Sequence, residues 1–457
     1  MPDARDSPRR TLLCISQSFP PDTTPTAIRA GKLLARLNER WDVEVLTERA
    51  GPEVRAGVRV HTVRSLRPRK IMSALQGARL GKFLEMIVWP DDSIFWVAPA
   101  ILAARRLARK RSPAAIVVFM MPYSAGLAGL ALSRLTKLPL ILNLDDSPTC
   151  TDMHPSFPTR LHYRLAKALE DMYARRADAI VYVSQTNLDA VRSRAPRHAR
   201  ANFHLVRYGG DRPEPAPRAV PSEDFEIAYV GAMSGWWALI GDAQPSGPIR
   251  RAYRAWTELG RFERIALDER TSSPSTLGRA ILEVLSEHPD WSGRVKLAVH
   301  GNPYPPEVVE RALEAAGVQS VVEVTGSLPH EDVAAILASA DLLFLTLPAR
   351  PDGSRGGRIS AKTYEYLTTD RPILAALPQG ENWDYLSDKP GVWLVAPDEH
   401  ERMKDVLVEL ARAKFAGEAR TFDRDRLRAE ISYDSRAAQF ADIVAASIER
   451  GRGRGSV

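Results

Sequence analysis

"DLLFLTLPARPDGSRGGRISAKTYEYLTTDRPILAAL", Asp341 to Leu377, is the stretch that decides the fold. An unbroken apolar run, Leu342–Leu347, gives way to a polar loop rich in glycine. A short helical pattern then starts beside Ser360, and a second apolar run, Ile373–Leu377, closes the stretch. Strands without polar alternation mark a parallel sheet covered on both faces, and two of them joined through a helix form one crossover unit. Lys362 and Glu365 sit three residues apart at the helix start, and Ser360 stands where an N-cap belongs. The N–H groups at such a helix start suit a phosphate, and Lys362 adds a point charge. Gly356 and Gly357 permit close approach of a ligand, and Glu365 can accept from the two hydroxyls of a ribose. The combination fits a nucleoside diphosphate. The alternative is a solvated Lys–Glu pair worth a few tenths of a kcal/mol, and local spacing alone favours it.

The same pattern extends in both directions. "TLLCIS", "WDVEVLT", "VRVHTV", "AAIVVFMM", "LPLILNL", "ADAIVYVS" and "NFHLVRY" read as strands in the first half. "EIAYVG", "RVKLAVHG", "VVEVTG", "DLLFLTL", "RPILAAL" and "VWLVA" read as strands in the second. Helical segments alternate with them, which predicts two doubly wound α/β domains. The boundaries are 1–210 for the first domain and 223–434 for the second. The proline-rich "DRPEPAPRAVPS", 211–222, is a stiff linker. A last helix over about 435–450 is expected to pack back on the first domain, with a disordered tail at 451–457. Residues 232–276 form an unusually long connection. Its adjacent Trp236 and Trp237 suit sugar stacking or a membrane interface, although a packed surface helix is favoured.

Composition fits this architecture. The chain has 457 residues, 44% hydrophobic and 26% charged, enough for two cores. No apolar run reaches the ~20 residues of a membrane span, and the start "MPDARDSPRRTLLCISQ" reads as no secretory leader. Cys14 and Cys150 are too few for a disulfide framework and are expected to be reduced, in the cytoplasm. Charge is uneven: residues 1–215 hold 34 Lys and Arg against 20 Asp and Glu, whereas the rest hold 29 against 36. The basic half is expected to face an anionic partner. "SLRPRKIMSALQGARLGKFLEMIVW" mixes cations with apolar residues as an interfacial helix does, and "ARRLARKR" clusters five cations. A solvated helix face is the default for each. Together they favour an anionic membrane carrying a lipid-linked acceptor, at the inner face of the cell membrane. No binding motif for nucleic acid accompanies the charge, so no nucleic-acid partner is expected.

"SAKTYEYLTTDRPILAALPQGE" resembles the donor-binding segment of glycosyltransferase family 4, with its P-x-K-x-F-E-Y-L-A-x-G-K-P-I-L pattern. "CISQSFPPDTTPTAIRAGKLLARLNERWDVEVLT" resembles the start of the same family, and "MPYSAGLAGLALSRLTKLPLILNLDD" and "VTGSLPHEDVAAILASADLLFLTL" fit in order between. The resemblance implies the GT-B architecture, two Rossmann-like domains facing across a cleft, with nucleotide sugar held mainly by the second. It implies transfer with retention of configuration, by attack on the face the donor leaves, and no cofactor or metal.

Carried over by position, Glu365 binds the ribose and Lys362 lies near the diphosphate. Ile359, Ser360 and Ala361 offer backbone N–H groups to the phosphates, with Arg358 as a further cation. Gly231 leaves room for the donor phosphate, and Gly326, Ser327 and Leu328 edge the base. In the first domain Asp22, Thr24 and Arg29 face the acceptor, and Asp146 matches a family aspartate assigned to catalysis. Its alternative is a helix cap. Three positions depart from the pattern. Gly357 stands where many members carry a second glutamate that meets the sugar. "AMSGWWALIGDAQPSGP" lacks the Arg and Lys common after Gly231, so Arg355, Arg358 or Lys362 must compensate. Asp145 replaces an arginine. The expectation is a hexosyl- or N-acetylhexosaminyl-transferase acting on a glycan, lipid-linked or small-molecule acceptor, as in polysaccharide biosynthesis. The alternative is a non-catalytic homologue that binds sugar nucleotide or scaffolds a partner enzyme.

Overall fold

The computed structural model describes residues 9–49, 58–68, 72–74, 80–212, 222–231, 235–240, 247–301, 304–326, 328, 330–418 and 420–453. Most of the expected linker, Ser327 and the last four residues lie outside the described residues.

The chain begins β1 (Thr11–Ser16), α1 (Pro25–Leu37), β2 (Asp42–Thr47), β3 (Arg59–Thr62), α2 (Gly81–Ile87), α3 (Ile94–Arg111), β4 (Ala115–Phe119) and α4 (Ala125–Thr136). It continues β5 (Leu140–Leu144), β6 (Ser156–Phe157), α5 (Arg160–Arg176), β7 (Ala179–Tyr182), α6 (Gln185–Arg194) and β8 (Phe203–Leu205). The second half runs β9 (Phe225–Val230), α7 (Trp236–Ile240), α8 (Pro248–Glu258), β10 (Phe262–Glu263), α9 (Pro274–Glu287), β11 (Val295–His300) and α10 (Pro306–Ala316). After these come β12 (Val322–Val324), α11 (His330–Ser339), β13 (Leu342–Thr346), α12 (Ala361–Leu367), β14 (Ile373–Ala376) and α13 (Glu381–Leu386). The chain ends with β15 (Val392–Val395), α14 (His400–Phe415), α15 (Asp425–Ile431) and α16 (Tyr433–Gly453).

Two compact units result. One contains Met1–Gly209, Trp256–Arg264 and Tyr433–Val457; the other contains Gly210–Ala255 and Ile265–Ser432. The first sheet has the order β3-β2-β1-β4-β5-β7-β8 and the second β12-β11-β9-β13-β14-β15. Every pairing within them is parallel. Each order turns back on itself once, between β1 and β4 and between β9 and β13, as in dinucleotide-binding sheets. Ligands bind outside the carboxyl ends of the strands at such a switch point. The continuous apolar runs explain the topology: every residue of β4, β5, β13 and β14 is buried, so both faces need helices.

Local chemistry sets the helices. Thr24 caps α1 by accepting from the Ala27 N–H at 3.4 Å, and Pro25 fills the first turn. The face Ala27, Ala30, Leu33, Leu34 and Leu37 is buried. α16 covers the first sheet, with Tyr433, Ala437, Phe440, Ala441 and Val444 in one core with Phe119, Ile141 and Val181.

Three features differ from the sequence reading. α16 is helical through Gly453, because its buried stripe carries the helix past residue 450 and Arg450 donates to the Asp178 carbonyl at 3.2 Å. Trp256–Arg264, placed by sequence in the second domain, belongs to the first unit, where β10 pairs antiparallel with β6. Trp236 is fully buried in the core of the second unit, so its ring meets apolar side chains and no sugar or membrane. The Trp237 side chain lies outside the described residues. Among the described residues no helix is long and apolar enough to cross a membrane.

Candidate functional site

Beside the switch point of the second unit lie the carboxyl ends of β9, β11 and β12. Gly231 follows β9 with φ of +108°, in the region that side-chain-bearing residues avoid. Its N–H donates to the His300 carbonyl at 2.7 Å, and the Gly301 N–H donates to the Gly326 carbonyl at 3.1 Å. Three glycines therefore line adjacent strand ends and expose backbone. Above them stands Lys362. A Cβ on Gly231 would lie 2.8 Å from its Cε and 3.2 Å from its Nζ. The ammonium rests 5.0 Å over the Tyr229 ring and has no ion-pair partner among the described residues. The solvated Lys–Glu pair is therefore not what the structure shows.

What aims Lys362 is a bond far from it in sequence. The Val230 N–H donates to the buried Tyr366 hydroxyl at 3.0 Å, fixing α12 against the end of β9. Thr363, Tyr364, Tyr366 and Leu367 form the buried face of α12 and leave Lys362 and Glu365 on the half-buried one. Ser360 occupies the N-cap position with extended backbone, and its hydroxyl makes no capping bond. The helix has only seven residues, so the full charge of Lys362 outweighs its dipole. In the preceding loop Gly356 pairs with Gly380, and the Glu381 N–H donates to the Gly356 carbonyl at 3.0 Å. A Cβ on Gly380 would meet that carbonyl at 2.5 Å, which keeps position 380 a glycine. Ile359 is buried and Arg358 half-buried, whereas Arg355 is exposed and ion-paired to Asp384.

Polar groups crowd the corresponding end of the first unit. Asp145, following β5, is buried; it accepts from Thr26 at 2.6 Å and Asn143 at 3.2 Å and pairs with Arg29 at 3.4 Å. Asp146 is half-buried and accepts from the Thr151 hydroxyl at 2.8 Å. Tyr123, after β4, packs edge-on to the His154 ring at 5.5 Å. Burial raises the Tyr123 phenol well above its usual range, and the charges of Asp146, Glu170, Asp91 and Asp145 add to the effect. Burial, then Arg264, lowers His154. Asp91 accepts from the Ser124 N–H at 2.9 Å and hydroxyl at 2.6 Å, and burial raises its carboxyl.

Residues 26–209 match the family described as the glycosyl transferase 4-like domain. Sucrose-phosphate synthase of Thermosynechococcus elongatus shares the fold at TM-score 0.64 and 13% identity, over 96% of this chain and 99% of its own. HepE of Anabaena, in complex with UDP and glucose, aligns at TM-score 0.59 and 13% identity, over 95% and 99%. The UDP-forming α,α-trehalose-phosphate synthase of Burkholderia vietnamiensis aligns at 0.57 and 14%, over 96% and 100%. A search of curated protein sequences gives no significant match. Across both units the chain shares the fold of these proteins, and residues 26–209 are similar to the glycosyl transferase 4-like domain.

The expected residues separate into two groups. Gly231 and Lys362 meet at the second switch point, Gly326 follows β12 two strands away, and Ile359, Ser360, Ala361 and Glu365 lie on or beside α12. Leu328 is half-buried beyond β12, and Ser327 lies outside the described residues. Arg29 is not placed to touch an acceptor. It is fully buried, donates to the Val206 and Arg207 carbonyls at 2.7 and 2.8 Å, and pairs with Asp145. Thr24 is a helix cap bonded to Ser18 at 3.0 Å, and Asp22 accepts from the Thr24 N–H at 3.1 Å, so this exposed loop is braced by its own side chains. Asp146 caps no helix. Tyr366, Tyr229 and Gly301 escaped the sequence reading, as did the Tyr123–His154 pair. "MPYS" and "TDMHP" carry that pair, and an aromatic beside a histidine after two neighbouring strands was the available signal.

Proposed function

We propose that this chain is a GT-B glycosyltransferase that moves a sugar, with retention, from a uridine diphosphate sugar to an acceptor hydroxyl on a glycan, a lipid-linked intermediate or a small molecule. One observation carries the reading: an ammonium with no ion pair among the described residues, held over bare backbone at a switch point. A nucleoside diphosphate brings about two negative charges, and a full cation in a weakly screened site answers them better than a helix end. Glu365, one turn on, takes the ribose hydroxyls. The base is assigned by likeness, since HepE is seen with UDP and the trehalose-phosphate synthase is UDP-forming. In this reading Lys362 and Arg358 neutralise the diphosphate without a metal.

The bond from the anomeric carbon to the β-phosphate oxygen breaks while the acceptor oxygen bonds to the same face of that carbon. The acceptor proton passes to the departing phosphate oxygen. Asp146, beside Tyr123 and His154, orients the acceptor. We place the enzyme in the cytoplasm, at the inner face of the cell membrane. The glycine at 357 favours a second reading, a homologue that binds the donor without transferring it. A thermal-shift panel of UDP, GDP, ADP and their sugars, followed by donor hydrolysis without acceptor, separates the two. The first reading expects stabilisation by UDP and its sugars plus slow hydrolysis. Stabilisation with no turnover supports the second, and no stabilisation by any of them overturns both.

A further inference from the structure

The first unit carries a cluster of exposed apolar side chains that belongs to no core. In α2 no residue is buried, and Phe83, Met86 and Ile87 point outward, Ile87 with 78% of its surface exposed. On α5, Leu161 and Leu165 stand one turn apart and are likewise exposed. Leu259, 70% exposed, follows α8. These three pieces are one surface. His162 of α5 bonds the Met86 carbonyl at 3.0 Å, Lys82 donates to the Trp256 carbonyl at 2.5 Å, and Phe83 packs on the Trp256 ring at 5.5 Å. Tyr163 in turn packs between Phe157 and Phe262 at 5.3 and 5.0 Å.

The surface is ringed by cations. Arg160, Arg164 and Lys167 project from the same half of α5, with Lys82 and Arg261 opposite. Arg261 engages two carboxylates, Glu85 at 3.2 Å and Glu258 at 3.5 Å. Glu170 and Asp171 are taken up by Arg194 on the other side of α5. Arg164 and Lys167 have no ion pair among the described residues.

In a parallel sheet the helix following a strand begins at the carboxyl edge. The first turn of α5 thus lies at the edge that carries Tyr123, Asp146 and His154. The cations Arg105–Lys110 on α3 lie at the opposite edge, where β4 begins, and so do not share this face. Apolar residues flanked by long cations, with the positive charge in excess, match the interface of an anionic bilayer, where Lys and Arg reach the headgroups and leucine the acyl boundary.

We propose that α2, the amino-terminal half of α5 and residues 256–262 form a docking face for an anionic lipid bilayer. This deepens the reading above by making the acceptor lipid-borne, and it rests on that reading. The test is flotation of the full chain with phosphatidylcholine vesicles, with and without phosphatidylglycerol. Binding should require phosphatidylglycerol and fall as salt rises. The double change Ile87→Asp and Leu161→Asp should abolish it. Arg164→Gln with Lys167→Gln should weaken it about thirtyfold, while Leu135→Asp, on the exposed end of α4, should leave it intact. UDP affinity should be the same in all of these. No vesicle binding by the wild type, equal binding to neutral vesicles, or equal loss with Leu135→Asp overturns the proposal. So does a dimer in gel filtration that the Ile87 and Leu161 changes dissolve, because the face would then seat a second copy. Vesicle binding without UDP affinity would instead count against the proposed function and leave the docking face standing.

Discussion

The carboxyl ends of the two sheets follow one topology and are furnished in opposite ways. In the first unit polar groups fill the space and answer each other. Arg29 and Asp145 pair in full burial, and Glu170 accepts from Thr149 at 2.5 Å and Tyr182 at 3.2 Å while holding Arg194. In the second unit the corresponding strand ends carry glycine, and the cation above them has no carboxylate among the described residues. A charge buried among partners is committed to the fold, because removing one partner leaves the other uncompensated. A charge without such partners is available to a ligand. The difference teaches that charge density alone misleads: the crowded end is mostly scaffold, and the bare end is the proposed donor site.

Breaking the crowded end should therefore cost stability and spare donor binding. Glu170→Ala strands the Thr149 and Tyr182 hydroxyls and one face of Arg194, at about 3–5 kcal/mol. Denaturant titration should show that loss, while calorimetry at low temperature should show unchanged UDP affinity. If affinity falls with stability, the two ends are coupled and the comparison fails.

Filling the bare end should do the reverse. Gly231→Ala puts a methyl 2.8 Å from the Lys362 Cε on backbone at φ +108°, at about 1–3 kcal/mol. Lys362 must swing away, so UDP affinity should fall by more than the strain alone explains. Normal affinity in a crystal or by calorimetry would show that Lys362 does not work from above Gly231.

The smallest effect concerns pH. Burial holds the His154 imidazole below its ordinary value of 6.5, so the unfolded chain binds that proton more readily than the folded one. Stability from this group is present above about pH 6.5 and is lost as pH falls through the folded value, at no more than about 1.4 kcal/mol per pH unit. His154→Gln should flatten the denaturation midpoint between pH 7.5 and 5.5. An unchanged slope would remove His154 as its source.

Every strand of both sheets was legible, because continuous Val, Ile and Leu runs have no other stable use in a chain that alternates with helices. The β6–β10 pair was not. It joins two-residue segments that are far apart in sequence and lack a periodic signal. At the candidate site, local chemistry offered Lys362 and Glu365 for a nucleoside diphosphate but favoured a surface pair, and family resemblance tipped the reading. The feature that makes Lys362 distinctive is its seat over Gly231, set by the bond from Val230 to Tyr366, and a linear reading cannot see that contact. Arg29 shows the converse error. An arginine near the start of a helix reads as exposed, and only the fold reveals the carbonyls and the aspartate waiting for it.

The central claim is that Lys362 answers the charge of a diphosphate. Calorimetry of wild type and Lys362→Ala with UDP and with uridine tests it most directly. Charge-assisted contacts contribute roughly 1.5–3 kcal/mol, about ten- to a hundredfold in affinity. The account predicts that loss for UDP and almost none for uridine. Equal losses for the two ligands, or none for either, would contradict it.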